Sequence, residues 1–202
     1  MIRLYGTPVS RAQRSLWALE EVGVEYEHIP THFVGESKTP EHLARNPNGR
    51  IPVLVDGDLT LWESMAINLY LARKYDGGLQ PKNAADEARA VQWSFWGMTE
   101  LEAGLMQILL NRVMLPEDQR DAAKAEAADE ALQRPLTVLD AHLADRPYLL
   151  GGEFTIADLN VASVLGLGTF AGYYFSKHAN AQRWFDACTS RPAFQRSRGG
   201  GA

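Results

Sequence analysis

The sequence predicts two units of different class, an α/β unit with the element order βαβ–α–ββα and an all-α unit after it. Strand-like patterns occur only as far as Trp62. A segment rich in turn-forming residues, 76–83, then interrupts the chain, and helical periodicity prevails beyond it. We therefore predict an α/β domain over residues 1–76, a linker over 77–84 and a helical domain over 85–198.

Composition limits the classes of function. The 202 residues are 46% hydrophobic, enough for two cores, and the formal net charge is −5 without a cluster of Lys or Arg. This balance argues against nucleic acid or an anionic membrane as a partner. No apolar run approaches the roughly 18 residues that span a bilayer, and no signal-peptide core is found. We therefore expect a soluble, cytoplasmic protein.

Cysteine and histidine usage predicts no metal site. Cys188 is the single cysteine, which excludes an internal disulfide, and the five histidines are scattered, with only His28 and His32 four residues apart and on a predicted strand rather than a helix. We expect Cys188 to be a small buried side chain.

The N-terminal part predicts a βαβ unit. Residues 2–5 are β-prone, and Ser10 is a good N-cap for a helix that extends to about Val22, where Gly23 ends it. Residues 25–33 alternate well enough to form a second strand. Because such a crossover is right-handed, the two strands are expected to be parallel.

A short helix and a hairpin follow. Thr39–Pro40 indicates a helix start with proline at its first position. Residues 53–55 and 59–62 are strand-like, and Asp56–Gly57–Asp58 between them is a strong turn signal. We therefore expect two antiparallel strands.

The two ends of this hairpin carry features that favour peptide binding. Ile51–Pro52 precedes the first strand, where a cis proline is tolerated and the main chain of Ile51 is left free for strand addition by an extended peptide. Glu63–Ser64 follows the second strand and opens a helix, whose unpaired amides and serine hydroxyl suit a carboxylate. Taken singly, each feature is equally typical of an ordinary strand start or helix cap.

Helices account for the second half of the chain. Residues 84–114 and 117–144 are expected to form two long helices separated at Pro116. Pro135 either kinks the second helix or marks a boundary within it.

The last part of the chain carries a capping signal. Thr155 and Asp158 have the N-cap and N3 spacing of a capping box, which predicts a helix start important for folding. Three glycines, at 166, 168 and 172, are expected to break the chain before a final helix over 180–189.

Together, these features closely resemble the glutathione site of cytosolic glutathione transferases. The resemblance rests on Asn-Pro-Asn-Gly-Arg-Ile-Pro-Val-Leu at 46–54, the hairpin and Glu63–Ser64, and it extends over nearly the whole chain. It implies a thioredoxin-like fold for the first domain. It also implies that the backbone of Ile51, before a cis Pro52, pairs with the cysteinyl part of glutathione, and that Glu63 and Ser64 hold its γ-glutamyl end.

The first loop is similar to that of the serine-type transferases of the phi and theta classes, which keep a catalytic serine at the position of Ser10. A thiol with a pKa of about 8.5 is only a few per cent ionised at neutral pH, yet the thiolate is the nucleophile. The implied role of Ser10 is therefore to donate a hydrogen bond to the thiolate at a helix N-terminus. A plain N-cap role for Ser10, and catalysis by the Thr7 hydroxyl, are the alternatives.

The resemblance implies further contacts with both substrates. Ser37 and Lys38 are expected near the glycyl carboxylate of glutathione, and Arg50 near its backbone. The pocket for the second substrate is expected to take its lining from Trp93, Trp96, Met106, Tyr173 and Tyr174.

The function that these residues imply is conjugation of the glutathione thiolate to electrophilic, apolar small molecules, with glutathione as co-substrate and no metal. The alternatives are a glutathione-dependent peroxidase or isomerase, and a non-catalytic glutathione-binding or structural member of the family. The resemblance also implies a homodimer, and neither nucleic acid nor membrane is expected as a partner.

Overall fold

The computed structural model describes residues 1–75 and 77–199. These residues form two compact units. The first contains residues 1–81 together with the C-terminal segment from Ser190, and the second contains Lys82–Thr189.

The first unit is a four-stranded sheet with helices. Its elements are β1 (Ile2–Gly6), α1 (Ala12–Val22), β2 (Tyr26–Pro30), a 3-10 turn (Glu36–Lys38), α2 (Pro40–Arg45), β3 (Val53–Asp56), β4 (Leu59–Trp62) and α3 (Ser64–Lys74). The strand order is β2-β1-β3-β4, with β2 parallel to β1 and the other neighbours antiparallel. The predicted order βαβ–α–ββα and the parallel βαβ pair are confirmed.

Apolar spacing explains how α1 packs. Ala12, Leu16 and Leu19 recur on one helical face, and all three are fully buried. The helix ends at Gly23, whose positive φ of 67° gives the left-handed cap that glycine adopts without steric cost.

The last helix, α9 (Pro192–Gly199), belongs to the first unit rather than to the helical one. Arg191 forms a two-pronged ion pair with Glu21 on α1, with both N···O distances at 2.7 Å. Arg196 donates to Glu20 at 2.6 Å. The predicted domain bounds, 1–76, 77–84 and 85–198, stay a proposal. The bound at Asp76 lies outside the described residues.

The second unit is helical. Its elements are α4 (Ala84–Trp96), a π turn (Gly97–Leu101), α5 (Glu102–Leu109), a second π turn (Leu110–Met114), a 3-10 turn (Glu117–Gln119), α6 (Ala122–His142), α7 (Ile156–Phe170) and α8 (Ala179–Thr189). No helix within the described ranges is long and apolar enough to cross a bilayer.

Two helical predictions need correction. The expected single helix over 84–114 is helical throughout, but it contains two π turns, whose i→i+5 hydrogen bonds interrupt the α-helical pattern. The expected helix over 117–144 begins only at Ala122, where Asp121 is the N-cap and its side chain accepts a hydrogen bond from the Lys124 amide. It continues through Pro135, which is buried.

The expected chain break at Gly166 and Gly168 is wrong, because both residues lie inside α7. A Cβ atom on Gly168 would lie 3.0 Å from Leu105 Cδ2 and 3.2 Å from Tyr173 Cδ1. The missing side chain of Gly168 therefore allows α7 to pack closely against α5, and this glycine does not form a turn. The chain turns later, near Gly172, whose φ is 64°.

The helix start predicted at Thr155 and Asp158 is confirmed. Thr155 is the N-cap of α7, and its backbone N–H donates to Asp158 Oδ2 at 2.9 Å. The Thr155 hydroxyl donates to the same oxygen at 3.1 Å. Asp158 thus satisfies donors that the helix start leaves unpaired.

Candidate functional site

The register of the sheet brings three of the predicted segments to one end of the first unit. Val53, the first residue of β3, pairs with Tyr5 on one side and with Trp62 on the other. The loop after β1, the segment before β3 and the start of α3 therefore leave the sheet at the same edge. The predicted residues Ser10, Ile51–Pro52 and Glu63–Ser64 lie on these segments.

Gly6 allows two of these segments to come close. Its φ is 153°, and a Cβ atom on it would lie only 2.4 Å from Ala12 Cβ and 3.6 Å from Ile51 Cβ. Any larger side chain would push the start of α1 away from the Ile51 segment. Glycine at this position is thus required by both backbone conformation and space.

Ser10 lies in the turn before α1 and not on the helix, which corrects the expectation that it is the N-cap. The helix begins at Ala12 and its N-cap is Arg11. The Ser10 hydroxyl nevertheless bonds to this helix start: Oγ accepts from the Ala12 amide at 3.1 Å and donates its proton to the Thr7 carbonyl at 2.7 Å. The Thr7 hydroxyl oxygen beside it is buried and has no hydrogen-bond partner in the part of the chain that the structure describes.

The Ile51–Pro52 peptide bond is cis, as the sequence allows. Both ladders of β3 end at Val53, so the backbone of Ile51 lies beyond them. The pairing of the Ile51 backbone with an extended peptide therefore stays a prediction. Because β1 and β4 flank β3, a peptide cannot add along the rest of that strand.

Two buried polar side chains hold the chain just before Ile51. His42 Nε2 and Asn46 Nδ2 both bond to the Arg50 carbonyl, at 3.0 and 2.8 Å. Both side chains are buried, whereas Arg50 is exposed. These bonds restrict the orientation of the peptide bond that leads into Ile51. Sequence reasoning missed His42, because its spacing to Arg50 carries no recognisable signal.

The side chains of Ser37 and Lys38 point in different directions relative to the loop that contains Gly49. Ser37 is fully buried, and its hydroxyl donates to the Phe33 carbonyl at 2.9 Å. Lys38 Nζ donates to the Gly49 carbonyl at 2.6 Å. Gly49 has a positive φ of 59°, and a Cβ atom there would lie 2.9 Å from Lys38 Nζ. The lysine amine therefore lies at the loop, whereas the serine hydroxyl faces inward.

The start of α3 has the features of an anion site. Glu63 is its N-cap and has a positive φ of 71°, an uncommon conformation for a residue other than glycine. Its side chain forms no capping bond. Ser64 is buried, and no other described residue hydrogen-bonds to its hydroxyl. The first amides of α3 have no partner within the helix, so this end carries partial positive charge.

Asp56 braces the opposite end of the hairpin. Its Oδ2 accepts from Tyr70, Lys74 and Tyr75 at 2.6–2.9 Å. Burial acts to raise the pKa of Asp56, but hydrogen bonds from Lys74 and the two tyrosines outweigh it, and the net pKa lies below the ordinary value. This cluster ties β3 to the end of α3, whose first residue is Ser64.

The side chains suggested for a second-substrate pocket all belong to the second unit, and several of them serve packing. Trp93 is buried, and its ring lies 5.0 Å from that of Trp96 and 4.8 Å from that of His142. Tyr173 is also buried, whereas Tyr174 is 67% exposed. The described residues contain no group of three or more His, Cys, Asp or Glu side chains arranged to hold a metal ion.

Comparisons with known proteins cover both units. The family model for the glutathione S-transferase N-terminal domain matches residues 1–73, and the model for the C-terminal domain matches residues 101–192. Glutathione S-transferase 3 of Zea mays is 37% identical over 97% of this chain and 92% of its own length. Glutathione S-transferase GstB of Escherichia coli (strain K12) is 34% identical over 97% of both chains.

A solved structure agrees with these relatives. The theta class glutathione S-transferase from Xanthomonas axonopodis pv. citri, crystallised with glutathione bound, superimposes with a TM-score of 0.90. It is 34% identical, over 97% of this chain and 96% of that one. With two matching family models, relatives above 30% identity along nearly the full length and the same fold, the chain belongs to the glutathione S-transferase family.

Proposed function

We propose that this protein binds glutathione at the end of the sheet in the first unit and transfers its thiolate to electrophilic, apolar small molecules. One observation supports the proposal above all. Pairing of Val53 with both Tyr5 and Trp62 places a hydroxyl-bearing turn, a main-chain segment outside the ladders and a helix N-terminus at one edge. Glutathione offers a group for each of these parts. Its thiol suits the hydroxyl, its peptide backbone suits the main-chain segment, and one of its carboxylates suits the helix N-terminus.

The proposed binding roles follow from chemistry. The backbone of Ile51 takes the cysteinyl main chain, since it is free of the ladders. Glu63 pairs with the γ-glutamyl ammonium, while Ser64 and the first amides of α3 hold the γ-glutamyl carboxylate. Lys38 and Arg50 supply positive charge for the glycyl carboxylate and the peptide backbone. Ser37 acts indirectly, by holding the turn that carries Lys38.

The proposed catalytic role belongs to Ser10. Its proton is donated to the Thr7 carbonyl in the described structure, so the hydroxyl must turn from that oxygen to sulfur when the thiolate forms. The Ala12 amide, which donates to the same Oγ, polarises the hydroxyl and favours this donation. The unpaired Thr7 hydroxyl is the alternative donor.

The function is tested by glutathione binding and turnover in the wild-type protein. We expect saturable glutathione binding, a rise in thiolate ultraviolet absorbance on binding at neutral pH, and conjugation with some members of a panel of electrophiles. Turnover of hydroperoxides or double-bond isomers alone would favour the peroxidase or isomerase alternative. Binding without ionisation would favour a non-catalytic member.

Ser64→Ala is expected to weaken glutathione binding without changing the thiol chemistry. A lost hydrogen bond to a charged carboxylate costs roughly 1.5–3 kcal/mol, on the order of ten- to a hundredfold in affinity. Because the contact is remote from sulfur, the loss should appear in KM for glutathione rather than in kcat. Thr60→Ala, on the exposed face of β4, is the control. A wild-type KM in Ser64→Ala would refute the carboxylate assignment.

We also propose a cytoplasmic homodimer, with the helical unit supplying apolar surface to the partner. Sedimentation at micromolar concentration is expected to give twice the chain mass of 22.4 kDa. A single species at the monomer mass would refute the dimer.

A further inference from the structure

A histidine on β2 bonds to the residue that begins the loop leading to Ser10. His28 Nε2 lies 2.9 Å from the Gly6 carbonyl oxygen. Because a carbonyl only accepts, this ring nitrogen carries the proton and donates it. In the sheet His28 is paired with Leu4, two residues before Gly6, so its side chain can reach the end of β1. His28 has no part in the glutathione contacts proposed for this protein.

The Gly6 carbonyl depends on external donors for its orientation. Glycine has no Cβ atom to restrict its backbone, so the peptide group between Gly6 and Thr7 can rotate at little steric cost. The Thr31 amide also donates to the Gly6 oxygen, but at 3.3 Å. That distance is longer than the usual range of about 2.7–3.2 Å. The shorter bond from His28 therefore contributes more to fixing this peptide group.

The Gly6–Thr7 peptide group determines where the Ser10 turn is placed. The Thr7 carbonyl accepts from the Ser10 amide at 3.1 Å and from the Ser10 hydroxyl at 2.7 Å. The same hydroxyl oxygen accepts from the Ala12 amide at 3.1 Å. Rotation of the peptide group before Thr7 would displace this acceptor, and the serine hydroxyl would move with it.

We propose that His28 is a positioning residue for Ser10. Its bond to the Gly6 carbonyl holds the turn over 7–10 in the geometry from which the serine hydroxyl donates to the thiolate of bound glutathione. This inference rests on the proposed glutathione conjugation and adds a residue to it. Because His28 acts through the turn that carries the thiolate donor, it affects ionisation of the thiol more than affinity for glutathione.

His28→Phe removes the donor and keeps a ring of similar size. We expect kcat for conjugation to fall about three- to tenfold, the effect of one neutral hydrogen bond, together with the thiolate absorbance of the complex at neutral pH. The pH dependence of kcat/KM should move upward, while the glutathione dissociation constant stays within about twofold of the wild type. His28→Gln keeps an N–H donor near the position of the ring Nε2 and should restore most of both losses.

A measurement on the protein without glutathione makes the test independent of turnover. We expect amide hydrogen exchange at Ser10 to become faster in His28→Phe and to return toward the wild-type rate in His28→Gln. Two variants serve as matched controls. Glu27→Gln changes an exposed neighbour on β2, and His42→Phe removes the histidine bond to the Arg50 carbonyl. Both should leave exchange at Ser10 unchanged.

Three results would overturn the proposal: wild-type exchange at Ser10 in His28→Phe, no restoration in His28→Gln, or equally fast exchange at Ser10 in His42→Phe. A lower urea midpoint in His28→Phe, with an unchanged thiolate band and pH profile, would show a structural role only and would overturn it as well. Absence of a thiolate band in the wild-type complex would instead refute the proposed function. Exchange at Ser10 would then still decide whether His28 holds the turn.

Discussion

Ser10→Ala is expected to lower kcat/KM for glutathione conjugation about ten- to a hundredfold at neutral pH and to move its pH dependence upward. We assume that the hydroxyl and the nearby helix start lower the pKa of the bound thiol by about one to two units. They then stabilise the thiolate relative to the thiol by roughly 1.4–2.7 kcal/mol. Removing the donor raises that thiol pKa. The thiolate then becomes populated only at higher pH, so kcat/KM rises at a higher pH than in the wild type.

The measurement separates ionisation from binding. The thiolate ultraviolet absorbance of the enzyme–glutathione complex at neutral pH should fall in Ser10→Ala, while the glutathione dissociation constant changes less. Ser10→Thr keeps a hydroxyl at this position and should restore most of the absorbance. Thr7→Ala should leave the profile unchanged, since its hydroxyl does not bond to the helix start.

A different pattern would reassign the role. Wild-type absorbance and turnover in Ser10→Ala would leave Ser10 as a residue that supports the start of α1 through its bonds to Ala12 and Thr7. A shift in Thr7→Ala instead would assign the thiolate donor to Thr7.

Asp158→Ala is expected to cause the largest loss of stability, on the order of 3–5 kcal/mol in the free energy of unfolding. The carboxylate is fully buried and accepts four hydrogen bonds. Two come from Thr155 at the helix start, one from the Leu149 amide at 2.7 Å and one from Trp184 Nε1 at 2.8 Å. Alanine would leave these donors buried without an acceptor, which costs more than loss of a surface cap.

The expected loss follows from Asp158 linking three parts of the helical unit. Burial raises the pKa of this carboxyl, and the four donors counteract the rise. Asp158→Asn retains the shape but replaces one acceptor oxygen with an NH2 group that faces donors, so we expect an intermediate loss.

Urea unfolding measures the effect. Asp118→Ala, an exposed carboxylate on the 3-10 turn before α6, is the matched control and should keep the wild-type midpoint. Below its unfolding transition, Asp158→Ala should retain the wild-type KM for glutathione. An unchanged urea midpoint in Asp158→Ala would show that the buried contacts add nothing to stability.

Several features of this protein follow from the sequence alone, because they depend on residues a few positions apart. The turn at Asp56–Gly57–Asp58, the proline at the start of α2 and the Thr155–Asp158 helix start are confirmed for this reason. Each is decided by local backbone geometry and by hydrogen bonds within one turn.

Tertiary structure decided how these pieces are used. Three features depend on residues that are distant in sequence, which a local pattern cannot predict. They are the inner position of β3 in the sheet, the bond from His42 to the Arg50 carbonyl and the packing of α9 on α1. Gly168 looked like a chain break, yet it lies inside α7, where Leu105 and Tyr173 pack close to its backbone. Local spacing determines which conformations and hydrogen-bonding groups a segment offers, whereas long-range packing determines which partner each group meets.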